Sequence, residues 1–149
     1  MTHIEELGKL LDDFSDIFDQ LNDLQLEKIQ AVRQDDLQAL DHCMQREQAI
    51  SLKIRGMQRQ KEKVDEALGL KNIPLRQISE HLPEADREQL TPTIRRFKES
   101  YELYSSAASA SRAVLETTLQ EIDRALEEVG KTTKPNRPTK QGSFTDIKA

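Results

Sequence analysis

The chain has 149 residues, 33% of them charged and 36% hydrophobic, with five glycines, five prolines and no tryptophan. One domain is the default at this length, and so few turn formers among many Glu, Gln, Lys, Arg, Leu and Ala residues predict a mostly helical protein. The net charge of −5 is unevenly spread. Lys131, Lys134, Arg137, Lys140 and Lys148 against Asp146 give the last nineteen residues +4, which leaves −9 for the rest. An acidic body with a short basic tail argues against nucleic acid as a partner, because that needs cations clustered on the folded face.

A lone Cys43 excludes an internal disulfide and fits a reducing compartment. The opening Met-Thr-His-Ile-Glu-Glu lacks the basic and apolar regions of a signal peptide, and no apolar run approaches membrane-spanning length. The expectation is a soluble cytoplasmic protein with no membrane insertion. Only six aromatic residues are present, namely Phe14, Phe18, Phe97, Tyr101, Tyr104 and Phe144. The core is therefore expected to be aliphatic and elongated.

A first helix is predicted from Thr2 to about Gln34, with Thr2 or His3 near the cap and Glu5 and Glu6 in the first turn, where the helix dipole favours them. Ile4, Leu7, Leu11, Phe14, Phe18, Leu21 and Leu24 form one apolar stripe. Leu10, Ile17, Leu26, Ile29 and Val32 widen it, so this helix should touch two neighbours. Asp12, Asp13, Asp16, Asp19, Asp23 and Glu27 make its outer face acidic, a pattern that usually means solvation.

Gln34-Asp35-Asp36 is a break, and either aspartate can cap a second helix beginning at Leu37. Its seam reads Leu40, Cys43, Glu47, Ile50, Ile54, Met57, Lys61, Val64 and Leu68, heptad-like with two polar interruptions. So short a connection forces the two helices into an antiparallel hairpin. Glu47 on the seam is either a register device or an edge residue that snorkels outward. Gly69 or Asn72 ends this helix. Pro74 then opens a short amphipathic piece with Leu75, Ile78 and Leu82, which Pro83 stops.

The stretch from Leu90 to Val129 is the one around which the sequence predicts the chain to be organised. Leu90, Ile94, Phe97, Tyr101, Tyr104, Ala108, Ser111, Leu115, Thr118, Ile122, Ala125 and Val129 recur in alternating steps of four and three, one stripe along a helix of roughly 60 Å. Two starts are open. Glu84 to Leu90 can be its first turns with Pro92 kinking it, or Thr91 can cap a new helix with Pro92 at its first position. Gly130 is placed to end it. Residues 1–130 are thus expected to form a helical bundle. Residues 131–149, a Pro/Thr/Lys tail without periodicity, are expected to be disordered.

Reactive constellations are missing from the sequence. His3, His42 and His81 lie far apart without a second ligand at helical spacing, and His42 and Cys43 point about 100° apart on a helix. No phosphate loop, nucleophile with a spaced base, or HExxH motif occurs. The prediction is a protein that is not an enzyme and carries no cofactor or metal.

The order of elements resembles a known family. A long acidic helix with Ala31-Val32 and Asp35-Asp36 is followed by Leu40, Glu47, Ile50, Ile54 and Met57. Then come the Ile73-to-Leu82 insert and a long last helix with Tyr101 and Leu115. Over roughly residues 4 to 130 this is similar to the FlgN family of flagellar export chaperones. The resemblance implies an elongated all-helical cytoplasmic protein of the bacterial flagellar type III export system. It would bind hook-filament junction (hook-associated) proteins by their terminal helices before export and present them to the export gate. Gate or ATPase complex components would be further partners. One departure is that family members carry asparagines in the last helix where this chain reads Ser105-Ser-Ala-Ala-Ser-Ala-Ser-Arg112.

The residues point the same way. Ser105 to Ala113 is built of Ala and Ser, whereas Leu115, Leu119, Ile122, Leu126 and Val129 restore a strong apolar stripe. Helices of about thirty residues do not reach that far. The stripe is therefore the expected partner-binding site, since uncovered apolar rows mark partner surfaces. The alternatives are that the hairpin covers it, or that a second copy does, which would make the chain a homo-oligomeric coiled-coil scaffold.

Overall fold

A computed structural model describes residues 2–130. The expectation of a disordered tail at 131–149 lies outside them. The described residues hold three long helices, α1 (His3–Arg33), α2 (Leu37–Leu68) and α3 (Glu84–Glu128), with a 3-10 helix at Leu75–His81 between the last two. The fold is all-helical, with no strand among the described residues.

Each boundary has a local cause. The Thr2 hydroxyl accepts from the Glu5 amide at 3.1 Å and caps α1. Asp36 caps α2 by accepting from the Ala39 amide at 3.0 Å, while Asp35 takes the left-handed turn position at φ 53. Gly69, at φ 70, ends α2, and the Leu70 amide reaches back to the Asp65 carbonyl. α3 begins at Glu84 and continues past Pro92, so the chain takes the first of the two starts that the sequence left open. Pro92 is exposed and removes one ladder bond, while the Thr91 hydroxyl donates to the Arg87 carbonyl at 2.7 Å beside it.

The helix around which the others gather is α1, not α3. It packs against both α2 and α3, whereas those two scarcely touch each other. Width decides this: α1 buries Leu7, Leu10, Leu11, Phe14, Ile17, Phe18, Leu21 and Leu24 on a double stripe, while α3 has one narrow row. Glu47 faces Lys28 and Gln25, and Arg46 faces Glu27, so α2 runs antiparallel to α1. Leu90 lies against Gly8, Phe97 against Phe14 and Tyr101 against Phe18, so α3 runs parallel to α1. The connector returns along the first half of α3, burying Leu75, Ile78 and Leu82 and placing the Arg76 guanidinium 5.0 Å from the Tyr101 ring centre.

The core is not purely aliphatic. Phe14, Phe18, Phe97, Tyr101 and Tyr104 meet at the α1–α3 interface with ring centres 5.3–6.4 Å apart. Few aromatics therefore means one concentrated cluster rather than none. Such ring pairs add about 0.5–1.5 kcal/mol each beyond their burial.

Candidate functional site: the free end of the third helix

Paired residues in α1 and α3 differ by about 83 positions, so Arg33, the last residue of α1, stands level with residue 116. α3 continues about twelve residues farther, or roughly 18 Å. Ser111 is its last buried residue. Beyond it Leu115 and Leu126 are half-buried, while Leu119, Ile122 and Val129 are 50%, 50% and 70% exposed. The row leaves the bundle with no other described helix beside its outer part. Ala107, Ala108 and Ser111, all small, make the last covered turns. They permit close approach to α1 but supply little area.

Just before the helix leaves the bundle lies a buried polar cluster. Glu47 from α2 accepts from Lys28 at 2.8 Å and from Gln25 at 3.3 Å, with the Glu47 and Lys28 side chains 9% and 13% exposed. Glu47 thus sits in the seam, not at an edge. Tyr104 is buried nearby; burial first, and the Glu47 charge second, push its hydroxyl pKa well above the usual tyrosine value. Burial, then Glu27, likewise raises the pKa of the Cys43 thiol, which favours its protonated form.

Lower in the bundle, Arg96 of α3 bridges to Asp12, Asp16 and Asp19 of α1. The acidic face is therefore partly engaged by this chain, a role that the spacing of the aspartates alone does not show. No group of three or more His, Cys, Asp and Glu that could hold a metal occurs among the described residues. Nor is any described helix long and apolar enough to cross a membrane.

Fold and site define a class: an elongated helical bundle with an apolar helix end projecting beyond its own hairpin. The sequence model of the FlgN protein family matches residues 1–139, nearly the whole chain, and the chain belongs to that family, one of flagellar export chaperones rather than enzymes. Comparison with curated proteins and with solved structures gives no match.

Proposed function

We propose that the chain is a cytoplasmic flagellar export chaperone that binds hook-filament junction proteins before secretion and helps present them to the export gate. Leu115, Leu119, Ile122, Leu126 and Val129 form the surface that receives a terminal amphipathic helix of the client. One observation carries this beyond family membership: the row is apolar, continuous at helical spacing, and half or more exposed at Leu119, Ile122 and Val129. A foreign helix laid along it would bury the row in the manner of helix-in-groove recognition. Holding the client's terminal helix there would keep it from associating before export.

Co-expression with candidate junction proteins, followed by co-purification, tests the reading. A client retained by the native chain and lost on Leu119→Asp/Ile122→Asp is the expected result. The homo-oligomeric scaffold replaces it if no candidate is retained and the native chain forms a concentration-dependent oligomer that the same substitutions dissolve.

A further inference from the structure

The acidic balance of the bundle conceals a basic face. Lys53, Arg55, Arg59 and Lys63 on α2 are all exposed, and none has an ion-pair or hydrogen-bond partner among the described residues. By contrast Lys28, Arg46 and Lys61 on the same hairpin are each paired. Arg55, Arg59 and Lys63 recur every fourth residue, so they form a single row with charges roughly 6 Å apart along the axis. The row beside it reads Leu52, Gly56 and Gln60. Leu52 is 66% exposed, and a Cβ built on Gly56 would meet nothing within 4 Å. At its lower end the face opens into a cleft of about 370 Å³ between α1 and α2, lined by Gln60, Lys63, Leu10 and Val64.

We infer that this face of α2 is a second docking surface, separate from the end of α3, and that it receives an amphipathic helix whose carboxylates recur every fourth residue. The cation row matches such a helix charge for charge. The gap at Gly56 lets a partner backbone approach closely beside the apolar Leu52, as ridge-into-groove packing requires. A polyanion fits poorly. Glu62 and Glu66 adjoin the row, and Glu6 lines the far side of the cleft together with Asp13, which Lys9 pairs, so an extended phosphate backbone or an anionic bilayer would meet carboxylates on both flanks. A second copy fits poorly too. The acidic α1 face that it would offer is already partly engaged, since Arg96 bridges to Asp12, Asp16 and Asp19.

The test uses the full chain and a fluorescein-labelled, alanine-rich helical peptide with Glu at every fourth position beside a row of leucines. Its Glu→Gln twin and its Glu→Lys twin serve as controls. The acidic peptide is expected to bind at least tenfold tighter than the Gln twin by anisotropy. Arg55→Glu/Arg59→Glu/Lys63→Glu should weaken it at least tenfold and bind the Lys twin instead. Gly56→Gln should weaken it comparably while raising the melting temperature, because a glycine leaves a helix interior; loss of binding with a gain in stability cannot be unfolding. Leu119→Asp/Ile122→Asp should leave the peptide affinity unchanged, so this inference and the client-binding reading fail separately. Equal binding of the acidic and Gln peptides overturns the inference, as does an unaltered affinity after charge reversal. So does an oligomer of the native chain that the reversal dissolves. Vesicles with one-third phosphatidylserine or duplex DNA retained by the α2 face more tightly than the peptide would equally overturn it.

Discussion

Replacing Leu119 and Ile122 together by aspartate separates a partner surface from a structural seam. Each side chain is 50% exposed, so the chain itself already covers half of each. Full burial of a Leu or Ile is worth about 1.5–3 kcal/mol, and the half left for a client to cover is worth about 1 kcal/mol per residue. Two residues therefore contribute about 2 kcal/mol to client binding, and desolvating the new carboxylates against an apolar partner adds about 1–3 kcal/mol of penalty. The client Kd should rise by about a hundredfold at the least. Because no other described helix lies beside the outer part of α3, the melting temperature should move by only a few degrees. Ile54→Asp is the contrasting control: Ile54 is 3% exposed in the core, and a carboxylate there should unfold the protein. Titration with a peptide from the client's terminal helix and thermal melting by circular dichroism, on the same preparations, read both quantities. If the double variant melts as Ile54→Asp does while client affinity is unchanged, the row is structural and the reasoning fails.

Gly8→Ala should lower the melting temperature by a few degrees despite the better helix former. A Cβ there would stand 3.0 Å from Leu90 Cδ2, and Leu90 is itself buried; a rise would show that Leu90 can swing aside. Above pH 10 stability should fall. The folded Tyr104 hydroxyl has its pKa raised above 10.0, chiefly by burial, so the unfolded chain loses that proton first and is favoured as pH climbs. Tyr104→Phe should flatten the alkaline limb of denaturant midpoints measured against pH, and an unchanged slope would place the effect elsewhere. Lys28→Met alone should cost about 3–5 kcal/mol by leaving Glu47 uncompensated, whereas Lys28→Met/Glu47→Met should recover most of that. A double variant as unstable as the single one, by urea denaturation, would mean that the cluster is not held together by this pair.

Periodicity made the faces legible in the sequence. The double stripe from Ile4 to Val32 predicts a helix with two neighbours, and α1 has two. The Ala/Ser stretch followed by Leu115 to Val129 predicts a helix outrunning its hairpin, and the register of Phe14 with Phe97 and Phe18 with Tyr101 leaves about twelve residues of α3 past the end of α1. Pairing was not legible, because a stripe says that a face is covered and not by what. Hence α3, the longest stripe, was expected at the centre, a place that the wider face of α1 takes.

Charge shows the same division. Counting residues gives an acidic bundle, and that sum hides the distribution in space. Arg96 looks like any surface cation until the parallel packing of α1 and α3 brings Asp12, Asp16 and Asp19 to it. Arg55, Arg59 and Lys63 look like part of a mixed helix until Lys28, Arg46 and Lys61 on the same hairpin are seen to be paired while these three are not. Their four-residue spacing was a signal present in the sequence, but only the structure shows that no carboxylate of the bundle answers it. Composition sums charges over the chain, whereas a partner meets one face. A protein acidic in total can therefore present a basic row to one ligand and an apolar row to another, on surfaces that the same three helices keep apart.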